Sequence, residues 1–324
     1  MEGLPKRRED KGEVKKMVDK SQIGKNKVLG NYIYFLKNGG GIHGKFKNWK
    51  DGDPEREPAF AYIFRKEVKP GMAVIDAGAN LGYYSLVAAQ IMNGNGKVYA
   101  IEPDPDNVFL LNKAVSLNAY DTPIIVYPAA LSNKNGQLTF HTAKASNLSS
   151  IAKTEHSTGV IEVEGLTLSK FAWNKRVIDK AGKEGVFLRM DIEGYEVEAL
   201  EGAMTFLKKD FPCKILMEIH PQFYDDEHNL IDVFNKLIKF GFNTKYVVSA
   251  GIAQPDMFKK FVYRPIKIFD CGRFERGLYD CVSNEAMIIM TRYGLRQYFN
   301  EEMIKRSGEK YTDKIVRAVM LERS

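Results

Sequence analysis

Two stretches of the chain carry residue types at spacings that can do chemistry. In the first, Val74 to Pro105, Asp76 precedes the turn Gly78-Ala79-Asn80-Leu81-Gly82, and Glu102 follows the last turn glycine by 20 positions. That is the distance at which a second strand presents a carboxylate to two ribose hydroxyls. The second stretch holds Asp191 and Glu193, two residues apart in MDIEG, and is followed by His220 in EIHP. Two acids and an imidazole are what an enzyme needs to take a proton from a hydroxyl too weakly acidic to lose it unaided. Histidine titrates closest to neutrality, so His220 is the favoured base with Asp191 or Glu193 as its partner, and the reverse assignment stays open. The same three residue types suit a divalent ion that lowers the acceptor's pKa. Spacing alone does not separate base from ligand; the metal is the less favoured reading, and no residue is assigned to one.

The glycine pattern narrows the ligand. A dinucleotide turn reads GxGxxG, whose middle glycine lets backbone approach a pyrophosphate. Here the turn reads GANLG, without that glycine, and acids stand on both sides of it. A cofactor with a sulfonium and an ammonium but no phosphate, S-adenosylmethionine, suits such a pocket. On that reading Glu102 holds the ribose hydroxyls through charge-assisted hydrogen bonds. Asp76, with Gly78, Asn80 and Gly82 of the turn, surrounds the methionine portion, and Asp191 borders it. Pro103, Asp104 and Asn107 line the adenosine edge, while Ala130 and Leu131 cover adenine. Each assignment has a plainer counterpart: a ligand-free strand-to-helix turn for the glycines, a helix N-cap for Asp104, core packing for Ala130 and Leu131.

These residues need strands that end where they begin. Apolar runs predict strands over 73–76, 97–101, 124–128, 186–190 and 214–219, with helices over 82–92, 105–119, 194–207 and 226–240 between them. GQLTFHT and VIEVEGL predict an inserted hairpin, and YVVSA (246–250) and AMIIMTR (286–292) the last strands. Strands alternating with helices imply an α/β fold with a doubly wound, mostly parallel sheet. Its ligands bind at the carboxyl ends of the strands, where Asp76, Glu102, Asp191 and His220 all fall.

Taken in order, DAGANLG (76–82), EPDPDNVFLLN (102–112), RMDIEGYEVEALEG (189–202) and EIHP (218–221) resemble the FkbM-like family of S-adenosylmethionine-dependent methyltransferases. The resemblance spans about residues 55 to 291. It implies a class I methyltransferase Rossmann-like core and O-methylation of a hydroxyl on a sugar, glycan precursor or related small metabolite.

Composition fits a globular enzyme: 324 residues, 44% hydrophobic and 27% charged. No stretch approaches a bilayer span and the first residues have no apolar signal core, so a cytoplasmic protein is expected. Cys213, Cys271 and Cys281 lack a CxxC pair, which favours reduced thiols. Part of the net charge of +7 sits in residues 1–27, with nine Lys or Arg against five Asp or Glu. They read as a solvated basic arm, for which nucleic acid or anionic membrane is the lesser alternative. Residues 28–56 form an N-terminal extension and 57–292 the methyltransferase domain. Residues 293–324 read as an amphipathic helical tail, with Ile315, Val316, Val319 and Met320 on its apolar side, docking on the core or on a second subunit. The aromatic and basic segment 251–285 is expected to wall the acceptor pocket. Its composition also suits RNA, which makes an RNA methyltransferase one alternative; a nucleotide-dependent oxidoreductase on the same core is the other.

Overall fold

Residues 19–50, 53, 55, 57–143, 145, 148–151, 157–250, 258–259, 262–272, 275–292 and 314–324 are described by the computed structural model. The chain opens with a hairpin of β1 (Ile23–Val28) and β2 (Asn31–Leu36) and two helices, α1 (Ile42–Lys47) and α2 (Pro58–Glu67). Next come β3 (Ala73–Ala77), α3 (Tyr83–Met92), β4 (Lys97–Ile101), α4 (Pro105–Asn118) and β5 (Ile124–Tyr127). An insertion follows, β6 (Ala130–Leu131), β7 (Gly136–Ala143) and β8 (Ser157–Leu166), paired as a separate sheet in the order β6-β8-β7. Helices α5 (Leu168–Lys175) and α6 (Val177–Lys180) lead to β9 (Val186–Met190), then α7 (Glu196–Glu201) and α8 (Met204–Leu207) to β10 (Cys213–Glu218). The last elements are α9 (Leu230–Lys239), β11 (Asn243–Ser249), β12 (Lys267–Asp270), β13 (Glu275–Tyr279), α10 (Asn284–Met290) and β14 (Val316–Arg323).

Nine strands form the central sheet in the order β12-β13-β11-β14-β10-β9-β3-β4-β5. The run from β10 to β5 is parallel, and β14 lies antiparallel between β10 and β11. Winding from β3 proceeds toward β5 and from β9 toward β11, so the strand order reverses between β3 and β9. This is the expected doubly wound, mostly parallel α/β sheet, and the reversal marks where a ligand crevice opens. Helices cover both faces, which is why β3 and β9 are buried along their whole length and read as apolar runs interrupted only by Asp76 and Arg189. Val74, Phe187 and Leu216 pack with α2, α3 and the β1–β2 hairpin, while Ile75, Leu188 and Ile215 pack with α5, α7, α8 and α9.

The structure departs from the expected elements in four places. AMIIMTR is no strand: Ser283 caps a helix by accepting from the Ala286 N–H, and Met287 and Met290 turn inward one helical turn apart. The expected helical tail is also overturned where it is described. β14 is extended and lies inside the sheet, so residues buried on both faces replace the amphipathic pattern; residues 293–313 lie outside the described residues. The expected helix 194–207 breaks at Gly202-Ala203, because a Cβ on Gly202 would sit 2.0 Å from the Ser132 carbonyl oxygen. At the other end β1 begins at Ile23, inside the stretch read as an arm; residues 1–18 lie outside the described residues.

Candidate functional site

The cofactor half of the site is built where β3 and β4 end. Gly78, at φ +74°, turns the chain so tightly that a Cβ there would lie 2.0 Å from the Asp191 carbonyl oxygen. Asn80 takes the left-handed conformation at φ +50° and points its N–H at Glu102 Oε2 (2.8 Å). Glu102 Oε1 accepts from the Asp104 N–H (2.9 Å) and from Asn107 Nδ2 (3.3 Å). Burial, helped by the nearby Asp104 charge, pushes the Glu102 carboxyl up to about 7. Oε1 thus accepts twice already, while Oε2, with one bond made, keeps a lone pair for a ribose hydroxyl.

Gly78, Asn80, Glu102, Pro103, Ala130, Leu131, Asp191 and Glu193 all line one cavity. Asn80 Oδ1 and Asn107 Oδ1 are buried beside it without a hydrogen-bond partner, which fits a site whose polar groups await a nucleoside. Asp76, Gly82, Asp104, Asn107 and His220 stand behind that lining. Asp104 serves as the N-cap of α4, accepting from the Asp106 N–H. Gly82 is required by packing, since a Cβ would meet Leu111 Cδ1 at 2.1 Å.

Asp76 is fully buried and spent on its neighbours: Ser85 Oγ donates to Oδ2 (2.6 Å) and Arg189 Nη1 to Oδ1 (3.1 Å). Arg189 also donates to the Gly78 carbonyl (2.8 Å) and to Asp191 Oδ2 (2.7 Å), and its guanidinium lies over the Tyr84 ring at 4.6 Å. One buried cation thus joins the glycine turn to the acid at the end of β9. Glu218 meets Arg317, Lys314 (3.7 Å) and His220 Nε2 (3.0 Å).

Asp191, Glu193 and His220 do come together, with candidate ligand atoms all within 4.8 Å of one another. His220 Nδ1 lies 2.7 Å from Glu196 Oε1, and Nε2 lies 3.3 Å from Glu193 Oε2. Burial alone would lower the imidazole pKa; the charges of Glu193, Glu196 and Glu218 override it and raise it to about 10. His220 is therefore an imidazolium across the neutral range, with a proton on each nitrogen. Burial pushes the Glu193 carboxyl up to about 7, against the pull of His220.

Glu196 and Tyr224 were not singled out from sequence. Glu196 is fully buried, accepting from Tyr224 Oη (2.6 Å) and the Gly194 N–H (3.0 Å), and His220 holds its carboxyl below the usual range. Its only sequence signal is a place three residues after Glu193, which a helix beginning between them brings to one side. Glu57, also missed, borders the cavity in the left-handed conformation and pairs with Arg276 and with Arg317 (3.3 Å). Of the segment 251–285, expected to wall the acceptor pocket, none of the described residues lines the cavity. Phe258 stacks on Tyr279 in the core at 4.1 Å between centroids, and Arg276 is turned to Glu57. Lys260, Phe261, Arg273 and Phe274 of that segment lie outside the described residues.

The model of the methyltransferase FkbM domain matches residues 76–244. No curated protein matches the chain. Among solved structures, TYW2 of M. jannaschii in complex with AdoMet is 14% identical and covers 82% of this chain and 89% of its own, at a TM-score of 0.36. The precorrin-6y C5,15-methyltransferase of Geobacter metallireducens is 11% identical over 63% of this chain and 83% of its own, at 0.35. A SAM-dependent methyltransferase of Aquifex aeolicus is 14% identical over 68% and 88%, at 0.34. With the matched segment running from Asp76 through both chemical stretches into β11, the chain belongs to the FkbM methyltransferase domain family and is an S-adenosylmethionine-dependent methyltransferase.

Proposed function

We propose that the protein is an O-methyltransferase acting on a hydroxyl of a sugar, glycan precursor or related small metabolite, with Glu193 as the general base. When bound, S-adenosylmethionine supplies a methyl group already activated by its sulfonium, which leaves the protein to align the acceptor and take its proton. Glu102 holds the ribose, Asn80 and Asn107 offer their unpaired amide oxygens, and Ala130 and Leu131 flank the base. The observation that carries the reading is a pair of adjacent groups with inverted proton affinities. Glu193 faces the cavity with a pKa near the operating pH, and His220 behind it is a fixed cation that cannot accept a further proton. This exchanges the roles first favoured: His220 positions Glu193 and stabilises its ionised form, and Glu196 and Tyr224 hold His220 in place.

The same donor set favours a proton over a divalent ion as the charge shared by the acids. Both imidazole nitrogens lie within 3.3 Å of a carboxylate, Nδ1 in a hydrogen bond to Glu196, and Asp191 is already paired with Arg189. Methyl transfer should therefore survive excess EDTA. With S-adenosylmethionine saturating, kcat should rise with pH through about 7, and Glu193→Gln should lower it by about 10²–10⁴ while leaving S-adenosylhomocysteine binding intact. Abolition of activity by EDTA with restoration by Mg²⁺, or an unchanged rate in Glu193→Gln, would overturn the assignment.

A further inference from the structure

The charges around the cavity bear on what is methylated, given the transferase reading above. Among the described residues, those lining it include the acids Glu57, Glu102, Asp191, Glu193 and Glu218, against a single cation, Arg189. Arg189 is already committed to Asp76, the Gly78 carbonyl and Asp191. Arg276, Arg317 and Lys314 stand behind the lining and face Glu57 and Glu218. S-adenosylmethionine, with two positive groups and one negative, matches this surplus of acid. A phosphate or carboxylate on the acceptor would meet like charge in a partly dry cleft, without the guanidinium fork that normally receives it.

The insertion contributes Phe140 of β7, Ser149 and Ile151 to the cavity wall. The neighbouring Ser150 Oγ donates to the Glu193 backbone carbonyl (2.8 Å), so the insertion is fastened to the turn that carries the base. Phe140 itself is 4% exposed and rooted in the small core of the insertion with Leu138 and Val163. We propose that the β6-β8-β7 insertion and the 191–194 turn enclose the acceptor subsite, and that it takes an uncharged, hydroxyl-bearing ring with one apolar face toward Phe140 and Ile151.

The full chain, incubated with methyl-labelled S-adenosylmethionine and a cellular extract, tests this directly. After separation of RNA from small molecules and removal of unreacted, cationic S-adenosylmethionine on a cation exchanger, the small-molecule fraction is passed over an anion exchanger near pH 8. Label is expected in the unretained small molecules. Label held on the exchanger until phosphatase treatment, held as a carboxylate, or precipitating with RNA overturns the proposal. The acceptor fraction then serves for kinetics. Ile151→Ala and the milder Phe140→Leu should each raise the acceptor KM by about tenfold or more, the scale of lost apolar contact in a pocket. S-adenosylhomocysteine affinity should stay unchanged, and unaltered KM in both variants overturns the placement. Calorimetry of S-adenosylhomocysteine on every variant, done first, distinguishes a failure here from a failure of the cofactor assignment.

Discussion

At Glu102 two backbone N–H groups and one side-chain amide already converge on a carboxylate that burial holds near a pKa of 7. Ribose hydroxyls would add to an existing cradle, so removing the carboxylate strands the surrounding donors as well. Glu102→Ala should weaken S-adenosylhomocysteine by about 1.5–3 kcal/mol, the range for hydrogen bonds to a charged group, read by calorimetry. Because the charged form is the better acceptor, affinity of the parent protein should fall as pH drops below about 7. His220 has the opposite linkage. Its folded pKa, about 10, lies above the ordinary 6.5, so its contribution to stability is complete below about 6.5 and is lost as pH rises through about 10. Melting temperature should therefore decline over that window, and His220→Gln should flatten the decline. A variant that melts lower but keeps the parent's slope would show that His220 is not the group responsible.

At the scale of elements, the glycine turn and the end of β9 are one object, held by a backbone approach at Gly78 and by Arg189 between them. Gly78→Ala requires both a left-handed alanine and a displaced Asp191 carbonyl. It should cost about 2–4 kcal/mol in thermal or chemical unfolding and weaken S-adenosylhomocysteine binding. Gly136→Ala, at a positive φ but with no atom within 4 Å of the added carbon, isolates the conformational part of that cost. These elements were legible in sequence because each buried parallel strand is an apolar run cut off by a glycine turn or an acid; β4 and β9 fall on their expected bounds. Two of the failures share a cause. AMIIMTR and the segment of β14 are apolar runs without a clean period of two or 3.6, and only pairing partners far away in the chain decide between strand and helix. The site divides the same way. Glu102 and the Gly78 turn follow from local spacing, whereas the contact of His220 with Glu196, and the capture of Arg189 by Asp76, join residues 24 and 113 positions apart. Aromatic density marks core as readily as a ligand wall, and of the aromatic residues of 251–285 Phe258 and Tyr279 belong to the core.

Across the whole molecule, β14 is the strand that joins the parallel half of the sheet to β11 and its meander. It pairs with β10 from Cys213 to Glu218 and with β11 from Asn243 to Ser249. Arg323 at its end donates to the carbonyls of Leu207 (2.7 Å), Phe240 (3.0 Å) and Phe211, and also to that of Lys209, tying the α8–β10 and α9–β11 connections to one guanidinium. Arg317 on the same strand sets the charges of Glu57 and Glu218 at the cavity. A chain ending at Ile315 should lose its cooperative melt, while Arg323→Ala should cost about 2–4 kcal/mol by leaving several buried carbonyls unpaired. Among the described residues no helix is long and apolar enough to cross a membrane. The central position of β14 also sets an order of events on the ribosome. Its two neighbours are translated well before it and must wait side by side with open edges, able to pair wrongly with each other or with another nascent chain. The interior can therefore close only after the ribosome has released residue 323 from its exit tunnel, and a chaperone that shields those edges in the interval would raise the yield of active enzyme.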